Sequence, residues 1–148
     1  MGHGYFAVVA NGIIIDLKLI TKYLGIHKKN IMLLLEELKY YNDEICEHKL
    51  CNKYITDNNK NIDFEHYLKN YKFNFHYEEQ YSPTNVFITF TDKEIMSDTR
   101  GSEGHASIIN TEHLILENDE IYSIQRLANI LTGETHPIKF LMYTYEGS

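Results

Sequence analysis

The sequence predicts an α+β domain, a mainly antiparallel sheet with an N-terminal hairpin, covered on one face by two longer helices. Three observations predict it. Two segments, Lys28 to Asn42 and Asp119 to Leu131, space their apolar residues at helical intervals. Other short segments, foremost Val86 to Thr91 and Ile138 to Tyr145, are rich in β-branched and aromatic residues. The 148 residues are 43% hydrophobic with only two prolines, which fits a single folded domain, spanning 1–148, with a core of its own.

Taken in order, Tyr5 to Ala10 and Ile13 to Ile15 flank Asn11-Gly12, a pair suited to the positive φ angles of a type I′ turn, so a hairpin is expected there. Asp16 is placed to cap a helix over Leu17 to Leu24, with Gly25 as its left-handed stop. In the next helix Ile31, Leu34, Leu35, Leu38 and Tyr41 form the apolar face, widened by Met32 and Leu33, while Glu36, Glu37 and Lys39 face away. A polar turn over Thr56 to Asn61 leads to a short helix from Asp63 through Phe64, Tyr67, Leu68 and Tyr71. Phe73 to Tyr77 alternates as a half-exposed strand does, and Ser82-Pro83 breaks the chain before Val86. Asp98 to Ser107 reads as a polar loop, with short strands expected at Ile108-Ile109 and Leu114 to Leu116. The last helix begins at Asn118 or Asp119 and stops at Gly133, and Ile138 to Tyr145 closes the sheet. Leu34, Phe90, Ile124 and Phe140 are expected to share one interior.

Composition narrows the function classes. The net charge of −7, with only Arg100 and Arg126 as guanidinium groups, disfavours a general binder of phosphate backbones. Two cysteines, no N-x-S/T sequon, no leader pattern at the start and no apolar run near the roughly 20 residues of a membrane span point to an intracellular protein. Abundant Ile, Asn, Lys and Tyr beside little Arg, Pro and Ala fit an AT-rich genome, such as that of a virus or a parasite.

Thr21-Lys22-Tyr23-Leu24-Gly25-Ile26-His27-Lys28-Lys29-Asn30-Ile31-Met32-Leu33-Leu34 resembles a helix-turn-helix. A small residue, a turn glycine and locking apolar residues fall at Thr21, Gly25, Ile26, Ile31 and Leu34. The resemblance implies that Lys22, Lys28, Lys29 and Asn30 would meet nucleic acid. Met32 and Leu33 depart from it, standing where side chains should face bases. The layout of strand, Asn-Gly, strand, helix and Leu-Gly is also similar to the amino-terminal domains that large DNA viruses and phages share in their regulators.

In the loop Asp98 to Ser107, Asp98, Arg100, Ser102 and His105 form the candidate ligand-binding set. Arg100 suits a carboxylate or phosphate, Ser102 donates and His105 moves a proton near neutral pH. Gly104-His105-Ala106-Ser107 resembles the histidine strand of some viral and ubiquitin-like-protein cysteine peptidases, but no cysteine follows His105, so that chemistry does not carry over. Cys46, His48 and Cys51 offer two thiols and an imidazole without the second ligand pair that structural zinc wants, so no metal is assigned. Asp92 with Glu94, and Asp119 with Glu120, read as ordinary helix-start carboxylates.

No serine–histidine–aspartate signature, phosphate-binding glycine loop or dinucleotide fingerprint occurs, so no cofactor is implied. The leading reading is a non-catalytic binding or assembly protein that acts through protein contacts or self-association, its 12 tyrosines suiting such surfaces. The alternatives are a DNA-binding regulator, and a small hydrolase or nucleotide-binding enzyme built on the 98–107 loop.

Overall fold

A computed structural model describes residues 4–56, 64–79, 81–98 and 111–147. Its architecture is α+β, with a curled antiparallel sheet and helices packed on one face. Strand β1 (Gly4–Asp16) organises the sheet. It pairs with β3 (Asn85–Phe90) through Ile13↔Ile88 and with β4 (Glu94–Asp98) through Ala10↔Glu94. It also pairs with β5 (Lys139–Gly147), from Gly4↔Gly147 to Gly12↔Lys139. Strand β2 (Phe73–Tyr77) lies outside β3. Because β4 and β5 both pair with Phe6 to Ala10, they occupy opposite edges of β1.

The expected N-terminal hairpin is absent, since β1 runs unbroken through Asn11-Gly12. Tertiary contacts claim both residues. The Asn11 amide donates to the Leu114 carbonyl at 2.8 Å, and a Cβ on Gly12 would collide with the Ile88 carbonyl oxygen and the Phe87 ring. The glycine here serves close strand approach, not a positive φ. Strand β3 ends one residue earlier than expected, and a 3-10 turn, Thr91–Lys93, leads into β4, which the sequence reading left without a strand. Leu114 to Leu116 is not a strand either, because Leu114 ends a 3-10 turn that begins at Thr111. Ile108-Ile109 lies outside the described residues.

Helix α1 (Leu17–Leu24) starts at Asp16, whose carboxylate accepts from the Lys18 amide, and stops at Gly25 with φ 69°. Helix α2 spans Lys28–Lys39, α3 is the single turn Lys49–Cys51 continued by a π-helical stretch Asn52–Thr56, and α4 spans Phe64–Asn70. Helix α5 (Asn118–Thr132) begins with the Glu117 amide donating to Glu120 and ends at Gly133, φ 73°. The Tyr23 ring occupies the space a Gly133 side chain would need, so that glycine serves both the left-handed turn and the α1–α5 contact.

The helices bury Ile20, Ile31, Leu34, Leu35, Ile124 and Leu131 against Ile13, Ile15, Val86, Ile88 and Phe90 of the sheet. Each such side chain contributes about 1.5–3 kcal/mol by leaving water. Phe140 does not join Leu34, Phe90 and Ile124. It lies on β5 opposite Asn11, outside the buried clusters, and is 58% exposed.

The opposite face of the sheet carries a smaller cluster, in which Val8, Ala10 and Phe87 are fully buried beneath Ile14, Leu141 and Tyr143. The Tyr143 ring lies tilted against Phe87 with ring centres 5.5 Å apart, and its hydroxyl donates to Glu78 at 3.1 Å. That bond ties β5 to the β2–β3 connection across the curled face. Burial, reinforced by Glu78, pushes the Tyr143 phenol above its ordinary range. Glu78 also accepts from the Thr84 amide and hydroxyl and from the Asn85 amide, fixing the turn into β3.

Beside this cluster lies a buried polar knot. Glu94 accepts from Asn74 Nδ2 at 2.7 Å and Thr89 Oγ1 at 2.6 Å, and its Oε2 lies 2.8 Å from His76 Nε2. The His76 and Glu94 side chains are only 6% and 4% exposed. The knot joins β2, β3 and the start of β4 where the sheet breaks at Thr91–Lys93. Glu94 is therefore not the solvated helix-start carboxylate that the sequence suggested.

Candidate functional site

The outer face of α2 is the candidate site. Ile31, Leu34, Leu35 and Leu38 turn inward and are buried, which leaves Lys29, Leu33, Glu36 and Tyr40 along the outside. The helix was expected to reach Asn42 but ends at Lys39. Tyr41 leaves the helical path to bury its ring, stacking on His48 at 4.0 Å and donating to Glu65 at 2.9 Å. Burial, followed by the Glu65 contact, pushes its phenol up to about 12.

The chain then turns back along α2. Glu37 accepts from the amides of Leu50 and Cys51 at 3.0 and 3.2 Å, supplying an acceptor to the first turn of α3. Cys46 Sγ approaches the Glu37 carbonyl at 3.7 Å. His48 takes a left-handed conformation, φ 55°, held by its stack on Tyr41 and by Nε2 donating to the Tyr41 carbonyl at 2.6 Å.

Between α2 and this returning segment runs an open groove of roughly 580 Å³, with Leu33, Tyr40, Ile45 and Leu50 as its apolar walls. Leu33 is 53% exposed and Ile45 85%, and the two face one groove, so they form a patch rather than scattered exposed residues. The rim is acidic, with Glu36, Glu37, Asp43 and Glu47 against a single ammonium, Lys49, which pairs with Glu47 at 2.8 Å. A second groove of about 380 Å³ lies on the other side of the same ridge, floored by Met32, Leu35, Phe75 and Tyr77. Leu33, Glu36 and Tyr40 are common to both grooves, so they stand as a ridge between two hollows.

The residues singled out from the sequence are spread over the molecule. Lys22 is exposed on the last turn of α1, and Lys28 and Lys29 are exposed on the first turn of α2. Asn30 is half-buried on the wall of the first groove. Asp98 ends β4 opposite Phe6, while Arg100, Ser102 and His105 lie outside the described residues. Cys51 is buried, its thiol pushed well up, first by burial and then by Glu37. Cys46, His48 and Cys51 do not come together as a metal site: among the described residues no three His, Cys, Asp or Glu side chains are grouped to hold a metal.

Sequence reasoning missed the Ile45 wall of the groove, because nothing local says that the segment after α2 folds back. Leu33, expected to widen a covered apolar face of the helix, is exposed instead, because among the described residues no element packs over that side of α2. Among the described residues no helix is long and apolar enough to cross a membrane. In comparisons with known proteins, no family model, no curated protein and no solved structure matches this chain.

Proposed function

We propose that this chain is a non-catalytic binding or assembly protein that acts through protein contacts on the outer face of α2. The observation that carries the reading is the ridge of Leu33 and Tyr40 standing between two apolar hollows, with Ile45 beside it. Tyr40 is of a residue type on which interfaces concentrate binding energy, and an exposed apolar patch rimmed by charge marks a contact surface. A photo-crosslinking residue at position 40, placed in the full chain within the cells that produce it, tests the reading. A covalent protein adduct that vanishes on adding Leu33→Glu supports it. An adduct no stronger than that from a probe at exposed Lys18 overturns it.

A second reading, a DNA-binding regulator, is favoured by one observation. Helices α1 and α2 are joined by the three residues Gly25, Ile26 and His27, with Ile26 buried and Lys22, Lys28 and Lys29 exposed. The acidic rim beside α2 and the net charge of −7 oppose it. Absence of duplex DNA binding even at low salt removes it.

A further inference from the structure

Part of the ionic pattern of α2 opposes its own dipole. Its first turn carries Lys28 and Lys29 and no acidic residue, and Glu36 and Glu37 lie in its second half, where only the terminal Lys39 follows the dipole. A helix N-terminus carries a partial positive charge and its C-terminus a partial negative one, so both placements are locally unfavourable. Each has a rationale if a second helix runs antiparallel beside the first. Lys29 stands four residues before Leu33, and Glu36 and Glu37 stand three and four residues after it. A two-fold axis at Leu33 therefore sets Leu33 against its own copy and brings Lys29 opposite exposed Glu36 of the other chain, twice over, while Glu37 stays on the Leu50 and Cys51 amides of its own chain.

We infer that the partner seated on the α2 face is a second copy of this chain, docked antiparallel across a two-fold axis near Leu33. The inference rests on the α2 face being a docking surface and names its occupant. The face has what an isologous contact requires, since knob and holes lie on the same surface. Leu33 is the knob, exposed, and the grooves on either side of it are the holes. Lys29 and Glu36 are complementary under the same rotation that superposes the knobs. A basic amphipathic helix from another protein would suit the acidic rim alone, but would meet Lys28 and Lys29 with like charge.

Sedimentation velocity of the full chain over a range of concentrations is the test. Wild-type protein is expected to form a dimer that weakens as salt rises. Leu33→Glu is expected to weaken it by about 30-fold or more, as loss of a central anchor does. Lys29→Glu and Glu36→Lys each weaken it by roughly 10-fold. Mixing those two single variants restores association, because the hetero-pair has one native and one exchanged ion pair where each homo-pair has only like charges. Lys29→Glu agrees with the dipole of its own helix, so it leaves the thermal midpoint of the monomer undiminished and excludes misfolding as the cause.

A wild-type chain that stays monomeric throughout, a dimer that Leu33→Glu leaves intact, or a mixture no tighter than its components overturns the inference. The crosslinker at position 40 separates the two levels. An adduct with a different protein removes the self-association and leaves the docking face standing, whereas no adduct at all removes both.

Discussion

Removing the carboxylate of Glu94 by Glu94→Ala strips the acceptor from three donors at once, Asn74 Nδ2, Thr89 Oγ1 and His76 Nε2. The His76 and Glu94 side chains are 6% and 4% exposed, so the three donors are left inside the fold without their acceptor. Breaking a buried pair of this kind costs about 3–5 kcal/mol, a large share of the roughly 5–15 kcal/mol that holds a domain together. Urea denaturation followed by circular dichroism is expected to show the unfolding free energy falling by that amount, as a lower midpoint with the slope unchanged.

The same carboxylate gives the fold an acid limb. Burial opposes ionisation of Glu94, but the bonds from His76, Thr89 and Asn74 outweigh it and hold the carboxyl below its usual range. A carboxyl with a depressed folded pKa contributes stability above its unfolded value, roughly 4.3, and loses it as pH falls through the folded value. Wild-type stability therefore declines from about pH 5 downward. Glu94→Gln, which keeps the shape and loses the titration, declines less steeply there. A cost below about 1 kcal/mol for Glu94→Ala, or identical acid limbs for wild type and Glu94→Gln, refutes the assignment of the knot as a stabilising centre.

Gly12→Ala places a methyl group against the Ile88 carbonyl and the Phe87 ring, and is expected to cost about 3 kcal/mol by parting β1 from β3. Thermal unfolding with amide exchange across Ile13 to Ile15 reads it, and a near-neutral alanine contradicts the close approach. Cys51, buried with its thiol pushed up by burial and Glu37, is expected to resist a thiol-specific reagent at neutral pH until the protein unfolds, while half-buried Cys46 reacts sooner. Mass spectrometry of the labelled peptides checks the order.

Much of the fold was legible because local chemistry and tertiary need agree at most elements. Asp16 and Gly25 bound α1 where a cap and a left-handed stop belong, and Gly133 does the same for α5. The face of α2 follows the spacing of Ile31, Leu34, Leu35 and Leu38. Disagreement arises where a partner distant in sequence overrides the local signal. Asn11-Gly12 carries turn chemistry, yet Leu114 and Ile88 hold it extended. Strand β4 has few β-branched residues, so pairing with Val8, Val9 and Ala10, rather than propensity, makes it a strand. Glu94 looks solvated from its neighbours in sequence and is sealed only because β2 brings Asn74 and His76 over it. Within the site, the inward face of α2 followed from the helix period, but Leu33 was expected on the covered side, and the groove walls come from a segment that doubles back onto Glu37.

The pairing of Gly4 with Gly147 and of Gly12 with Lys139 sets how such a chain acquires its shape. Both flanks of β1 are completed by strands far along the polypeptide, so little of the sheet forms from neighbouring residues alone, and the entropy of closing long loops precedes the reward. Helices α1 and α2, built from adjacent residues, are able to form much sooner than the ribbon beside them. Until β5 arrives, Val8 and Ala10 stand on a strand with one bare flank, and that waiting interval is when this molecule is most open to misassociation.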